Sequence, residues 1–420
     1  MENVNASIIT IGDELLIGQT IDTNSAWMAQ ELNKIGVWVH RRVAVGDVWD
    51  EIWQALDEEG DKSSIILITG GLGPTADDIT KPLLCKYFGG QLVVNEAVRE
   101  HVIYLFEKVF RRPGPVLERN LRQAEVPDNC TVLHNARGTA PGMWFEKNGK
   151  IYVSMPGVPH EMKGLMTDAV LPRLPAYFQL PAIVHKTAFT AGQGESFIAE
   201  LLKDFEAALP SDIKLAYLPN YGMVKLRLTT TGSDKETLEK YLSPWFENLK
   251  ELVKDFLVAD RDEGLEIVVG QLLKAKNKSL GTAESCTGGY IAHLLTSIAG
   301  ASDYFKGSVV SYANETKEHL LGVRAETIEA FGAVSEQTVT EMARGALQQL
   351  NVDYTLAVSG IMGPGGGSQE KPVGTVWLAA ACKNKVATKQ LHLRFDRSRN
   401  ISMTATNALN FLRQFILSYE

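Results

Sequence analysis

The chain has 420 residues, enough for about two to four domains, and 45% hydrophobic with 22% charged residues is typical of a globular protein. A formal net charge of -8 argues against nonspecific binding to DNA or to acidic membranes, so we expect no direct nucleic-acid partner. The four cysteines form no Cys-x-x-Cys pair, and no apolar stretch reaches the roughly 20 residues that cross a bilayer. These features argue against a zinc ribbon, a disulfide framework and a membrane span, and they favour a cytoplasmic protein.

The first 170 residues alternate short apolar runs with helical patterns. The predicted elements are strands at Ser7–Ile11, Val37–Val45 and Ser64–Thr69 and helices at Asn24–Ile35 and Trp49–Glu59. This order predicts a parallel sheet with helices on both faces, in a domain of residues 1–170. Ligands of such sheets bind at the carboxyl ends of the strands, where Gly12-Asp13-Glu14 and Gly70-Gly71-Leu72-Gly73 both fall.

Two further domains are predicted after a proline-punctuated boundary at 171–178. Residues 171–257 form a small α+β connecting domain with strands at Ile183–Thr190, Ile213–Tyr217 and Val224–Thr230 and helices at Glu195–Ala208 and Lys235–Phe256. Residues 258–420 form an α/β domain that ends in a helix. Its other helices are Gly264–Ala275, Ser285–Ile298 and Ser335–Leu350, and its strands are Ser279–Ala283, Phe305–Tyr312, Tyr354–Ser359, Val373–Cys382 and Val386–Phe395.

A serine lies between a strand and a helix in the string Thr282-Ala283-Glu284-Ser285-Cys286-Thr287-Gly288-Gly289. At such a junction the unpaired amides and the positive end of a helix dipole meet. The hydroxyl of Ser285 is therefore a candidate nucleophile toward a carbonyl, and the amides are candidate oxyanion donors. The alternative is that Ser285 only caps the helix.

A nucleophilic serine needs a base, and the string Ser311-Tyr312-Ala313-Asn314-Glu315-Thr316-Lys317 offers Tyr312 and Lys317. The alternative is a strand tyrosine and a solvated lysine. Cys286 is a rival nucleophile, because a thiol at a helix N-terminus can have a lowered pKa.

Two segments of the third domain are candidates for phosphate binding. The glycine-rich loop Gly360–Ser368 directly follows a strand, and such loops expose backbone N–H groups, although a plain loop is an equal reading. Arg394, Arg397 and Arg399 precede the last helix, and guanidinium forks suit phosphate, although a solvated cluster is equally ordinary.

Two N-terminal motifs combine glycines with carboxylates. They are Gly12–Ser25 and Thr69–Thr80. The glycines let a phosphate approach the backbone, and Glu14, Asp77 or Asp78 would hold a magnesium ion on it. Lys81 would add a direct positive contact. The alternative for the two aspartates is capping of a helix predicted at Ile79–Phe88.

The C-terminal strings AESCTGG, GSVVSYANETK, GAVSE, SGIMGPGGGSQEKPVGTVW and DRSR, in this order, closely resemble the C-terminal module of the competence/damage-inducible protein A (CinA) family. That module resembles nicotinamide mononucleotide (NMN) deamidase, and the resemblance covers about residues 263–417. It implies that Ser285 is the nucleophile and that Tyr312 and Lys317 assist it. The substrate-binding residues that it implies are Thr287, Gly288, Gly289, Gly363, Gly365, Gly366, Arg397 and Arg399.

The chain departs from the family pattern at two positions of this module. Met362 stands where alanine is usual, and Phe395 precedes Asp396-Arg397 where many members have glycine. The second departure leaves the substrate arginine open between Arg397 and Arg399.

The N-terminal strings, extended by Gly142 and by SMPGVPHEM at 154–162, resemble the CinA N-terminal module, which looks like the molybdopterin-binding fold. In the family this module is linked to ADP-ribose pyrophosphatase activity, although likeness of fold does not itself transfer chemistry. The resemblance implies a divalent metal, expected to be magnesium, on Asp78. The other residues implied for this site are Glu14, Asn24, Gly70, Gly71, Gly73, Asp77 and Lys81.

The sequence therefore predicts a hydrolase of pyridine nucleotide recycling with NMN and ADP-ribose as its substrates. One module would convert NMN and water to nicotinic acid mononucleotide and ammonia without a cofactor, and the other would cleave ADP-ribose to AMP and ribose 5-phosphate. A homodimer is expected. The alternative is a molybdopterin- or nucleotide-binding interaction protein linked to competence or to the DNA damage response.

Overall fold

A computed structural model describes residues 4–75, 78–220 and 222–418, so Asp77 lies outside the described residues. The chain divides into two compact units, Met1–Val184 with Thr230–Glu239 and His185–Thr229 with Lys240–Glu420. No helix of the described ranges is long and apolar enough to cross a membrane.

The first unit contains a six-stranded mixed sheet and a two-stranded one. The strands are β1 (Asn5–Ile11), β2 (Trp38–Val45), β3 (Ile65–Thr69), β4 (Leu92–Val94), β5 (Glu125–Pro127), β6 (Thr131–Leu133), β7 (Gly142–Lys147) and β8 (Lys150–Met155). The large sheet has the order β2-β1-β3-β8-β7-β6, and β4 pairs with β5. The predicted parallel sheet is confirmed, with β1 between β2 and β3, whereas the antiparallel addition of β7 and β6 beyond β8 was not predicted.

Helices cover both faces of this sheet, as expected from the central strand β3, which is buried at every position. They are α1 (Asp13–Leu16), α2 (Thr23–Lys34), α3 (Trp49–Lys62), α4 (Thr80–Tyr87), α5 (Glu96–Tyr104), α6 (Glu118–Leu121), α7 (Pro159–Leu165) and α8 (Leu171–Tyr177), with π turns at Leu105–Val109 and Met166–Val170 and a 3-10 turn at Arg122–Ala124. Ile8 packs in one core with Met28 of α2, and its neighbour Ile9 packs in the other with Leu56 of α3. Successive residues of the strand therefore pack into the cores on opposite faces of the sheet.

The connecting region forms a four-stranded sheet with the order β10-β11-β9-β12. Its elements are β9 (Ala182–Ala191), α9 (Glu195–Leu201), α10 (Lys203–Ala208), β10 (Lys214–Asn220), β11 (Met223–Gly232), α11 (Lys235–Leu252) and β12 (Leu257–Ala259). The single helix predicted at Glu195–Ala208 is two helices. The chain turns at Leu202, which is fully buried together with Ile198 on α9, so the turn packs both side chains inside.

The C-terminal part of the second unit is a five-stranded sheet between two helical layers. Its elements are α12 (Leu265–Ala275), β13 (Leu280–Glu284), α13 (Tyr290–Thr296), a 3-10 turn (Ala301–Asp303), β14 (Phe305–Val310), α14 (Asn314–Leu321), α15 (Ala325–Phe331), α16 (Glu336–Leu350), β15 (Tyr354–Gly360), β16 (Thr375–Cys382), β17 (Lys385–His392) and α17 (Arg397–Ser418). The order is β14-β13-β15-β16-β17. β13 pairs in parallel with both β14 and β15, whereas β16 pairs antiparallel with both β15 and β17. The predicted α/β class is confirmed.

The two faces of this sheet have separate cores. Leu280, Leu356 and Val358 pack with residues of α12, α13 and α17. Ala283 and Ala357, at the alternating strand positions, pack with α14 and α16 on the other face. The side chains that follow the ends of these strands therefore divide between the two faces by the same alternation.

Candidate active sites

Three strand ends meet at the carboxyl edge of the C-terminal sheet. Ser285 follows β13, and its backbone N–H donates to the carbonyl of Val358 over 3.0 Å. Ser311 follows β14, and its N–H donates to the carbonyl of Glu284 over 2.8 Å. Parallel strands bring their carboxyl ends to one edge, so the two serines predicted in separate motifs are neighbours.

A buried carboxylate organises the turn after β13. Glu284 is fully buried, and its side chain accepts hydrogen bonds from the amides of Gly289 (3.1 Å), Ile291 (3.0 Å) and Ala292 (2.8 Å) and from the hydroxyl of Thr287 (2.7 Å). These are the amides that begin α13 and that lack partners within the helix. Glu284 therefore satisfies the helix N-terminus, and the alternative that Ser285 caps the helix is wrong.

The turn also moves the start of the helix from the predicted Ser285 to Tyr290. Gly288 (φ 61°) and Gly289 (φ 96°) both adopt the left-handed conformation, which residues with a β-carbon disfavour. Because Glu284 takes the first helix amides, those amides are not the oxyanion donors that the sequence suggested. Among the described residues, the amides of Cys286 and Thr287 donate to no backbone carbonyl, so they are the candidate oxyanion donors beside Ser285.

Burial distinguishes the two candidate nucleophiles. The side chain of Cys286 is 5% exposed, and burial raises the pKa of its thiol to about 12. A thiol with such a pKa stays protonated at neutral pH and is a poor nucleophile. Ser285 is 8% exposed and needs only a base to lose its proton.

Lys317 lies inside the protein at the end of β14. Its side chain is 1% exposed, and its Nζ donates to the carbonyls of Ser311 (2.8 Å) and Tyr312 (3.3 Å). The alternative of a solvated lysine is therefore wrong. Burial lowers the pKa of Lys317 from the usual lysine range, which favours the neutral amine that a base requires.

The Tyr312 side chain is 62% exposed, and Arg397 ties it to the glycine-rich loop. One Nη of Arg397 donates to the Tyr312 hydroxyl and the other to the carbonyl of Gly363, each over 2.9 Å. Arg399 is placed differently, because its guanidinium lies 4.2 Å from the ring centre of Phe395. The structure thus groups Arg397, and not Arg399, with the tyrosine.

The glycine-rich loop is only partly available to a ligand. Gly363 is buried and has φ 86°, whereas Gly365 and Gly366 are exposed. The loop contributes the carbonyl of Gly363 to Arg397, and this contact was not anticipated from the N–H groups of the loop. The hydroxyl of Thr287, a predicted substrate contact, is already bound to Glu284.

Sequence reasoning missed a second buried polar residue beside this site. Asn400 is fully buried, and its side-chain amide donates to the carbonyls of Met362 (3.1 Å) and Phe395 (2.9 Å). Its oxygen accepts from the Phe395 amide over 3.2 Å. Asn400 joins the glycine-rich loop to the segment that carries Arg397. Its only signal in the sequence is a polar residue in the apolar pattern of α17.

The glycines of the first unit allow two close backbone approaches. A β-carbon at Gly70 (φ 116°) would lie 2.1 Å from the carbonyl oxygen of Ile11, and one at Gly71 (φ 62°) would lie 2.1 Å from the hydroxyl of Thr80. Asn24 donates to the carbonyl of Gly157 over 2.7 Å. Its buried Oδ1 has no hydrogen-bond partner within the described parts of the chain. The predicted motifs are therefore brought together at this sheet edge.

The structure uses Asp78 to close the glycine loop. Its carboxylate accepts from the amides of Gly73 (2.7 Å) and Thr75 (3.0 Å) and from the hydroxyl of Thr75. Asp78 does not cap α4, whose N-cap residue is Ile79, so the capping alternative is wrong for this residue.

Lys81 is buried, and its Nζ donates to the carbonyls of Arg122 (3.4 Å) and Gln123 (3.2 Å). Burial lowers the pKa of Lys81 to about 8. The ammonium is thus already held by backbone oxygens.

Asp13, which lies in the first predicted motif, pairs across the strand ends of the first unit with Asp47, which sequence reasoning did not select. The amide of Asp13 donates to Asp47, and the amide of Asp47 donates to Asp13, each over 3.2 Å. Burial raises the pKa of Asp47, and the charges of Asp13, Glu14 and Asp78 add to the rise. Their signal was a Gly-Asp pair directly after each of two adjacent strands, Gly12-Asp13 and Gly46-Asp47.

These oxygens fit a cation shared with phosphate, because magnesium is commonly bound by one or two carboxylates and the oxygens of a substrate. Within the ranges that the structure describes, no three His, Cys, Asp or Glu side chains are placed to hold a metal by themselves. Burial is the largest cause of the raised pKa of Asp47, and the neighbouring carboxylate charges, which a cation would offset, add to it.

Three family profiles match the chain in succession. They are "Probable molybdopterin binding domain" at residues 7–176, "Damage-inducible protein CinA KH domain" at 185–259 and "CinA C-terminal domain" at 262–416. Among solved structures, CihA, a competence/damage inducible protein from Agrobacterium tumefaciens, is 41% identical, with 36% of this chain and 92% of that one covered and a TM-score of 0.35. A CinA protein of Thermoplasma acidophilum is 32% identical, with 42% and 100% covered and a TM-score of 0.36.

Relatives match over almost the whole length. A CinA-like protein of Cytophaga hutchinsonii is 49% identical over 412 residues, which are 98% of each chain. A CinA-like protein of Flavobacterium psychrophilum is 44% identical over 415 residues, which are 99% of each chain. With such identity along the full length and all three profiles in order, this chain belongs to the CinA-like protein family.

Proposed function

We propose that the C-terminal domain hydrolyses the carboxamide of NMN to give nicotinic acid mononucleotide and ammonia. The observation that carries this proposal is the buried Lys317, which reaches the end of β14 directly beside β13, the strand that Ser285 follows. A serine, a lysine of lowered pKa and free backbone amides form a constellation that suits attack on an amide carbonyl. The phosphate of a mononucleotide would give the Arg397 guanidinium a partner.

In the first half of the reaction, Ser285 Oγ attacks the carboxamide carbon while its proton passes toward neutral Lys317. The tetrahedral oxyanion would accept hydrogen bonds from the amides of Cys286 and Thr287. Collapse breaks the carbon–nitrogen bond, and the departing nitrogen takes a proton and leaves as ammonia. Tyr312, whose hydroxyl accepts from Arg397, is placed to exchange a proton at the exposed rim.

In the second half, water attacks the acyl-enzyme ester and loses a proton to the same base. The carbon–oxygen bond to Ser285 breaks, the serine regains its proton, and nicotinic acid mononucleotide leaves. The direct test is to incubate the purified full-length protein with NMN and to measure both products. Equal amounts of ammonia and nicotinic acid mononucleotide support the proposal, and unchanged NMN after prolonged incubation contradicts it.

Arg397 is expected to select substrates that carry a phosphate. Losing a charged hydrogen-bond partner costs about 1.5–3 kcal/mol, or roughly 10–150-fold in affinity. We therefore expect kcat/KM for nicotinamide riboside to be lower than for NMN by about that factor. In Arg397→Met the two substrates should become nearly equal.

Arg399→Met is the matched control, because it removes the same charge from the same segment but from the guanidinium that lies over Phe395. This variant should keep the preference for NMN. Equal kcat/KM values for NMN and the riboside in the wild type would refute the phosphate site, and loss of preference only in Arg399→Met would reassign it.

We propose a second activity for the N-terminal domain, the cleavage of ADP-ribose to AMP and ribose 5-phosphate. The paired Asp13 and Asp47, beside the close-packed glycines at the ends of β1 and β3, favour a ligand that brings phosphate and a cation together. These carboxylates would hold the magnesium ion. When bound, a divalent cation withdraws charge from phosphate oxygens.

The pyrophosphatase activity should require a divalent metal. The full-length protein is expected to release AMP from ADP-ribose with magnesium and to stop after chelation. Asp47→Asn should raise the magnesium concentration for half-maximal rate by about tenfold or more, since even outer partners of metal ligands change affinity about 10–100-fold. The readout is AMP formation across a magnesium titration.

Glu58→Gln is the control, because it removes an exposed carboxylate of α3 in the same unit. AMP release that survives exhaustive chelation would remove the metal from the proposal. Absence of AMP with any common divalent metal would instead favour a binding domain, whose pterin or nucleotide ligand mass spectrometry would identify.

A further inference from the structure

A buried hydroxyl beside Ser285 has no function in the mechanism so far. The side chain of Ser311 is 0% exposed, and its Oγ has no hydrogen-bond partner in residues 4–75, 78–220 and 222–418. Buried hydroxyls are nearly always hydrogen-bonded, and an unpaired one has a desolvation cost that no hydrogen bond offsets. An unpaired hydroxyl at the edge of a candidate site is free to exchange hydrogen bonds with neighbours whose protonation changes during the reaction.

The sheet register places this hydroxyl next to the nucleophile. β13 and β14 pair in parallel with Glu284 opposite Val310, and Ser285 and Ser311 each follow by one residue. Neighbouring strands lie about 4.8 Å apart, and paired positions point to the same face. Ala283 and Val309, two residues earlier, pack on the face covered by α14 and α16, so the two serines continue that face.

The base lies on the same face. Lys317 belongs to α14, and its Nζ is 2.8 Å from the carbonyl oxygen of Ser311, the residue whose hydroxyl is unpaired. Neutral Lys317 would have one lone pair to accept a hydrogen bond, and Ser311 holds a proton that no described group accepts. The three side chains of Ser285, Ser311 and Lys317 thus share one buried edge of the sheet.

We propose that Ser311 carries the proton between Ser285 and Lys317 in the deamidase reaction proposed above. As Ser285 Oγ bonds to the amide carbon, its proton moves to Ser311 Oγ, and the Ser311 proton moves to Lys317 Nζ. The lysine becomes an ammonium, and Ser311 remains a neutral hydroxyl. When the carbon–nitrogen bond breaks, the proton on Ser311 moves to the leaving nitrogen and a proton of Lys317 moves to Ser311, so that the lysine is neutral again and Ser285 remains acylated.

Tyr312 is less suited to this transfer between buried groups. Its side chain is 62% exposed, and its hydroxyl is held by Arg397 on the side of the glycine-rich loop. Ser311 is therefore the better placed residue for the buried transfer, and Tyr312 lies at the exposed rim.

The test compares Ser311→Ala with Ser311→Thr in the full-length protein. Ser311→Ala should lower kcat for NMN by about 10²-fold, the lower end of what a positioned acid–base group supplies, with little change in KM. Because it removes an unpaired buried hydroxyl, its Tm should be unchanged or higher. Ser311→Thr keeps a hydroxyl and should stay within about tenfold of the wild type.

Ser154→Ala is the matched control. Ser154 is also a fully buried strand serine without a hydrogen-bond partner in the described residues, but it lies in the first unit. It should leave kcat for NMN unchanged. A wild-type kcat in Ser311→Ala would overturn the proposal, as would a Ser311→Thr protein that is as slow as Ser311→Ala at an unchanged Tm.

A second readout separates this inference from the proposed substrate. A fluorophosphonate probe reacts with an activated serine without any need for NMN, and intact-mass spectrometry follows its attachment to Ser285. Slower labelling in Ser311→Ala than in the wild type supports the relay even if NMN is not the substrate. Equal labelling rates overturn the relay and leave the deamidase proposal standing.

Discussion

Ser285→Ala is expected to lower the release of ammonia from NMN by about 10⁴–10⁶-fold, the range seen when a member of a nucleophilic unit is removed. The physical reason is that no acyl-enzyme can form without the serine oxygen. Fold and stability should be preserved, because the turn after β13 is held by the carboxylate of Glu284 and not by the serine. Ammonia release and intact-mass detection of the acyl-enzyme are the measurements.

Cys286→Ala is the companion variant, one residue along the same turn. The thiol is buried, and its pKa of about 12 keeps it protonated, so the variant should retain most of the deamidase rate. Both variants should leave AMP release from ADP-ribose unchanged, since Ser285 and Cys286 belong to the second unit. The serine mechanism requires that Cys286→Ala retain most of the deamidase rate. An inactive Cys286→Ala together with an active Ser285→Ala would overturn this mechanism.

Lys317→Met should lower kcat for NMN by about 10²–10⁴-fold, the usual contribution of a positioned base. Methionine keeps much of the apolar stem and removes the amine that reaches the carbonyls of Ser311 and Tyr312. Burial lowers the pKa of Lys317, and only the neutral amine accepts a proton. The wild-type rate should therefore rise with pH as the lysine deprotonates. This rising limb of the pH–rate profile should lie below the pH range in which lysines ordinarily lose their proton.

This limb should disappear in Lys317→Met, and a pH series of kcat/KM measures it. Tyr312→Phe should be slower but should keep the limb, because the lysine remains. Lys306→Met is the matched control, since Lys306 is an exposed lysine of β14 that also donates to a backbone carbonyl, that of Ser302. An unchanged pH limb in Lys317→Met would exclude Lys317 as the base.

Local sequence patterns predicted many of the strands and helices. Short runs rich in apolar residues located β1, β3, β13 and β15, because strands that are buried on both faces carry few charged residues. The break at Leu202 and the late start of α13 at Tyr290 were not visible in this way. Both depend on which side chains the packed chain buries, and local propensity is a weak guide to that.

The candidate residues divide in the same manner. The sequence pointed to Ser285, Lys317 and Arg397 through motifs that keep their order in the family. It did not separate Arg397 from Arg399, which lie two residues apart with the same chemistry. Only the positions of Tyr312 and Gly363 decided between them, and these residues are distant along the chain.

What the sequence determined by itself was the identity of the chemical groups and the strand ends on which they lie, because residue type and periodicity are local properties. What only the tertiary structure decided was the protonation and pairing of those groups. The pKa of the Cys286 thiol is raised and that of Lys317 is lowered because both groups are removed from water, and burial is set by the whole packed domain. Likewise, Glu284 rather than Ser285 caps α13 because the turn folds that carboxylate beneath the helix, which leaves the serine free.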